Sequence, residues 1–120
     1  MHDFQSLKVW QTAMDLAVEV YEVTKTFPSE EKFELTRQIR KCVVSIASNI
    51  AEGAGRNTPG EFNQFLGISN GSCCELQTQL LIAKRLNISD GIIIQNLFEK
   101  VESVKKMNSK LQLSLKTKRP

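Results

Sequence analysis

Thr58-Pro59-Gly60-Glu61-Phe62-Asn63-Gln64-Phe65-Leu66 carries the clearest helix start in the chain. Thr58 is a capping residue, Pro59 tolerates the first helical position because its missing N–H would have no partner there, and Glu61 stands where a capping box places an acid. Downstream, Phe62, Phe65, Leu66, Ser69, Cys73, Leu76, Leu80 and Ala83 recur at helical spacing on one face. Asn87 and then Ser89-Asp90-Gly91 mark the turn that follows. On the N-terminal side, Leu35, Ile39, Val43, Ile46 and Ile50 form a second stripe, begun after a capping Ser29 and closed by Gly53 and Gly55 as C-cap glycines. A first stripe, Leu7, Trp10, Met14, Ala17 and Tyr21, starts at a capping Ser6 and stops at Pro28. A last one holds Ile93, Leu97, Val101, Val104, Leu111 and Leu115.

These stripes predict a single domain over residues 1–120, with helices at about 6–27, 30–52, 59–87 and 90–115 and a basic tail at 116–120. Short connections make sequential helices antiparallel neighbours, so the expected fold is all-α: an antiparallel up-down-up-down four-helix bundle with left-handed packing. No alternating pattern of useful length argues for a strand.

At 120 residues and 13.5 kDa there is room for one core; 24% charged and 41% hydrophobic residues exclude a disordered chain and a membrane span. The N-terminus lacks the basic-then-apolar order of a secretory signal, so a cytoplasmic protein is expected. Cys42, Cys73 and Cys74 are odd in number and two are adjacent, a poor disulfide framework; they read as small apolar residues in a reducing compartment. His2 is the single histidine, and no cluster has metal-ligand spacing. Glu52 and Glu75 form the only candidate acid pair, on different helices, so no catalytic residue, metal or cofactor is assigned and no enzyme or small-molecule substrate is expected.

Beside the core stripes lie two further lines. On helix two, Gln38, Cys42, Ser45, Asn49, Glu52 and Arg56 are mostly small or uncharged; on helix three, Ile68, Ser72, Glu75, Gln79, Ile82 and Leu86 include three large aliphatics. Two helices apolar on more than one side predict a subunit that associates with copies of itself. Cys42, Ser45, Asn49, Glu52, Ile68, Ser72, Glu75, Gln79, Ile82 and Leu86 are the expected oligomer interface.

Phe4-Gln5-Ser6-Leu7-Lys8-Val9-Trp10-Gln11, Gln38-Ile39-Arg40-Lys41 followed by Ser45-Ile46-Ala47-Ser48-Asn49-Ile50-Ala51-Glu52-Gly53, then Glu61-Phe62, Phe65-Leu66, Gly71-Ser72 and Glu75-Leu76-Gln77-Thr78-Gln79-Leu80 stand in this order. Across residues 4–88 this pattern resembles the bacterial four-helix-bundle proteins of the 23S rRNA intervening-sequence type. Cys73-Cys74, and Ala54 in place of a common aromatic, depart from it. The resemblance implies up-down bundles assembled into ring-like homo-oligomers, pentamers in the closest picture, with no established enzymatic activity. The accessory proteins of diversity-generating retroelements are similar in fold, and there a basic ring surface binds nucleic acid and a reverse transcriptase.

Charge is uneven: residues 1–60 carry a net −1 and residues 61–120 a net +4, with six basic residues and no acid from Ser103 onward. Arg37, Arg40 and Lys41, the Lys84-Arg85 pair, and Lys105, Lys106 and Lys110 are the candidate nucleic-acid contacts. Few aromatics interleave them, which argues for backbone-level contact over base stacking. Two functional readings remain open: an oligomeric scaffold or adaptor that also touches RNA or DNA, and a protein-only interaction module whose lysines are incidental.

Overall fold

The computed structural model describes residues 2–31 and 34–117. Four helices form the fold: α1 (Lys8–Thr24), α2 (Leu35–Ala54), α3 (Pro59–Arg85) and α4 (Gly91–Lys116), with no strand among the described residues. Named contacts give their order. Arg40 of α2 reaches Thr24 and Tyr21 near the end of α1, whereas His2, before α1, donates to the Ala54 carbonyl at the end of α2. Ser69 and Ser72 of α3 meet Ile46 and Ser45 of α2, while Gln77 and Gln112 join α3 to α4 through Glu102 and the Asn63 carbonyl. Lys100 of α4 pairs with Glu19 of α1 at 2.8 Å and closes the circuit. Each neighbouring pair runs antiparallel, and the molecule is 50 Å long and 20 Å across.

The core is aliphatic: Ile39, Val43, Ile46 and Ile50 of α2 and Leu66, Leu76 and Leu80 of α3 are fully buried, with Phe62 the largest buried side chain. Burying a side chain of this kind contributes about 1.5–3 kcal/mol. Three of the helices are also joined by buried polar contacts. Ser69 donates to the Ile46 carbonyl at 2.9 Å, and the fully buried Asn108 donates to Ser69 and Asn70, so a polar pair sits inside the α2–α3–α4 junction.

The α3 start behaves as its residues require. The Thr58 hydroxyl oxygen accepts from the Glu61 N–H at 3.1 Å, and its proton goes to the Glu61 carboxylate. The other ends differ from expectation. Ser6 does not cap α1. It lies in a short 3-10 turn, Phe4–Ser6, capped by Asp3, and its hydroxyl donates back to the Asp3 carbonyl at 2.8 Å. Ser29 likewise opens a 3-10 turn, Ser29–Glu31, and α2 starts only at Leu35. Gly53 lies within α2, and Gly55 at its C-cap is right-handed at φ −81°. α3 stops at Arg85, and Asn87, at φ 55°, supplies the left-handed residue that lets the chain turn.

Two stripes also shift. The buried face of α1 is Val9, Ala13, Leu16, Val20 and Thr24; of the expected stripe, Leu7, Trp10 and Ala17 pack against the core edge while Met14 and Tyr21 are exposed. In α4, Ile94 takes the buried place and Ile93 is exposed. The cause in both helices is one-residue ambiguity in an apolar run wide enough to offer two faces. The tail residues Lys118, Arg119 and Pro120 lie outside the described residues.

Candidate interaction surfaces

The two flanking lines meet. α2 and α3 pack along them, and a groove between the helices is lined by Gln38, Lys41, Cys42, Ser45, Ser72 and Glu75. The Cys42 thiol donates to the Ser72 carbonyl at 3.0 Å, the Ser45 and Ser72 hydroxyls share a hydrogen bond of 3.0 Å, and Asn49 donates to the Ser45 carbonyl and hydroxyl. Cys42 and Gln79 are buried within the subunit, whereas Ser45, Asn49 and Ser72 are half-buried and Glu52 and Glu75 exposed. Small residues in the middle of the line let α2 and α3 approach closely. Ile68, Ile82 and Leu86 remain 48%, 44% and 60% exposed on the outer side of α3.

Glu52 and Glu75 are not an acid pair. Glu75 faces Cys42, Glu52 lies ten residues further along α2 and pairs with Arg56 at 3.3 Å, and ten helical residues separate the two by about 15 Å. Glu75 instead accepts from Gln79 at 3.4 Å. Among the described residues, no group of His, Cys, Asp and Glu is placed to hold a metal ion, and no helix is long and apolar enough to cross a membrane.

All three cysteines are free. Burial pushes the Cys42 thiol up to about 12, with the Glu75 carboxylate acting in the same direction. Burial does the same to Cys73, also to about 12, with Cys74 adding to it. Both are protonated, weakly nucleophilic thiols at neutral pH, and Cys74 alone is exposed.

The basic residues do not converge on one patch. Arg37, Lys84 and Arg85 are exposed near the end of the bundle that holds the α1–α2 and α3–α4 connections. Lys41 lines the α2–α3 groove. Lys106 and Lys110 share one exposed line of α4, four residues apart. Two of the eight are engaged elsewhere. Arg40 is half-buried, donates to Thr24 at 2.8 Å and stands over the Tyr21 ring at 4.7 Å. Lys105 turns toward α3, donating to Gln77 at 3.1 Å and pairing with Glu102 at 3.2 Å. Hydrogen bonds from Gln77 and Lys105 hold Glu102 below the usual carboxylate range, and the Glu102 bond raises Lys105 above the usual lysine value. The three-residue spacing of Glu102 and Lys105 was the available sequence signal for that pairing.

An apolar surface went unassigned at the level of sequence. Met14, Val18 and Tyr21 of α1 and Val44 of α2 are 40%, 60%, 39% and 44% exposed. The Arg40–Tyr21 stacking places this side of α1 against α2. Its sequence signal was the width of the apolar arc in residues 7–23, read there as core.

The family described as 23S rRNA-intervening sequence protein matches residues 5–110. The chain belongs to that family. The chain is also similar to a solved structure from Bacteroides thetaiotaomicron, a protein of unknown function from the S23 ribosomal protein family. The TM-score is 0.81 at 20% identity, covering 87% of this chain and 94% of that one. At that identity the likeness shows the fold. No curated protein matches the chain.

Proposed function

We propose that this intervening-sequence protein is a non-enzymatic cytoplasmic scaffold or adaptor that works as a homo-oligomer, with five subunits as the family resemblance implies, and contacts RNA or DNA backbone through its basic residues. The observation that carries the reading is the row Ile68, Ile82 and Leu86, three large aliphatics left on the outer side of α3 after the core is complete. A second apolar side, Met14, Val18, Tyr21 and Val44, supports it, because head-to-tail assembly needs two different surfaces per subunit. Three unpaired cysteines fit a reducing compartment.

Light scattering on the purified chain and on Ile82→Asp/Leu86→Asp tests the assembly. The native chain runs as an oligomer and the variant as a folded subunit; a variant of unchanged oligomer mass removes this face from the interface. Salt titration of binding to a structured RNA tests the second half, with affinity falling steeply as salt rises. No binding at low salt by the folded oligomer leaves a protein-only interaction module. The engagement of Arg40 and Lys105 within the subunit favours that alternative.

A further inference from the structure

We propose that the pocket between the end of α1 and the start of α2 binds a small oxyanion of the phosphate class. The pocket has a volume of about 240 Å³ and is lined by two cations, Lys25, which is paired with the Glu22 carboxylate at 3.2 Å, and Arg40. Arg40 is half-buried and has no ion-pair partner among the described residues. Its guanidinium is immobilised by the Nε bond to the Thr24 hydroxyl at 2.8 Å, the Nη2 bond to the Tyr21 carbonyl at 3.3 Å, and the face of the Tyr21 ring. An arginine has five N–H donors, so three of them are left without an acceptor among these bonds. A half-buried guanidinium held in place, uncompensated and with a free edge is a poor structural element and a good anion ligand.

An independent observation points the same way. Thr36, one turn before Arg40 on the same face of α2, also lines the pocket; it is 5% exposed, and its hydroxyl has no hydrogen-bond partner among the described residues. An orphaned buried hydroxyl is costly unless something accepts or donates to it. The pocket also lies near the N-terminal end of α2, whose N-cap residue Glu34 makes no side-chain cap bond. Phe27 and Pro28 form the apolar wall and Ser29 adds a third hydroxyl. The volume falls below the roughly 300–1,000 Å³ of sites for drug-sized ligands, which favours the free anion over a nucleotide.

Inorganic phosphate titrated into the ¹⁵N-labelled chain, against chloride at matched ionic strength, tests the site. Saturable movement of the Arg40 Nε–H and the Thr36 amide is expected, together with a phosphate-specific rise in the unfolding midpoint. Thr36→Val removes only the hydroxyl, so it leaves the phosphate-free midpoint unchanged or higher and weakens phosphate binding about tenfold. Arg40→Lys, which keeps the charge without the planar fork, weakens it as well, and Lys8→Gln does not. A nucleoside 5′-monophosphate in a parallel titration separates the sources: weaker binding than inorganic phosphate assigns a free anion, and equal or tighter binding assigns a phosphate carried on a nucleotide. Shifts no larger than those with chloride, shifts confined to the Lys106–Lys110 line, or full binding by Thr36→Val overturn the proposal.

Discussion

Gly53 shows how one residue reports on a packing distance. A Cβ built there would stand 2.6 Å from the Phe65 Cβ and 3.0 Å from the Phe62 ring, so α2 and α3 touch backbone to side chain at this level. Its conformation is ordinary helix, and the reason for glycine is space. Gly53→Ala is expected to lower stability by about 1–3 kcal/mol in urea unfolding, despite alanine's better helix propensity. The cysteines make a second residue-level test. Cys42 and Cys73, raised to about 12 in the folded chain from 9.0, bind their protons more tightly folded than unfolded. Their contribution is full below pH 9 and is lost as pH rises toward 12. Replacing Cys73 with Ala should flatten the alkaline loss of stability relative to the parent chain. At neutral pH a thiol reagent should label Cys74 rapidly and the other two only on unfolding.

At the level of elements, starts set by side-chain chemistry were legible and starts set by tertiary contacts were not. The Thr58 cap needs only residues within one turn of it, and Thr58→Ala is expected to cost about 1 kcal/mol, measured as a shift in the denaturation midpoint. Asp90, whose carboxylate accepts from the Ile92 N–H at 2.7 Å, is another local cap. Ser6 and Ser29 have the same side-chain chemistry as a cap but are used in 3-10 turns. At Ser6 the competing partner is visible: Asp3 caps the turn itself, and the Phe4 ring packs edge-on to Trp10 at 5.1 Å. The same division explains the stripes. In α2 and α3 the second line is interrupted by Ser45 and Asn49 and by Ser72, Glu75 and Gln79, so the continuous apolar stripe marked the core face, and Ile39, Val43, Ile46, Ile50, Leu66, Leu76 and Leu80 are all buried. In α1 two arcs were available, and contact with α2 and α4 selected Val9, Ala13, Leu16 and Val20.

At the scale of the whole molecule, the distribution of charge decides what kind of nucleic-acid binding the proposed function permits. Basic residues spread over one end of the bundle, the α2–α3 groove and the outer line of α4 suit a surface assembled from several subunits better than a site on one. Lys106 and Lys110 have no acidic partner among the described ion pairs, so replacing both with Gln should reduce the salt slope of RNA binding by about two. Lys105→Gln should change that slope less and cost the Glu102 contact instead, because its ammonium is already paired. An equal loss from all three would mean that the Lys105–Glu102 pair opens on binding.

Four amphipathic segments, their order and the faces of the two central ones were written in the spacing of apolar residues, because helical periodicity is a local property of the chain. So was membership of the family, carried by motifs spread from Phe4 to Leu80. Tertiary structure alone decided which arc of α1 faces inward, that the small polar line of α2 meets Ser72, that Arg40 and Lys105 are engaged, and that Thr36 lacks a partner among the described residues. Each of these depends on which atoms of distant segments come within a few ångströms, and sequence spacing along one helix contains no such distance.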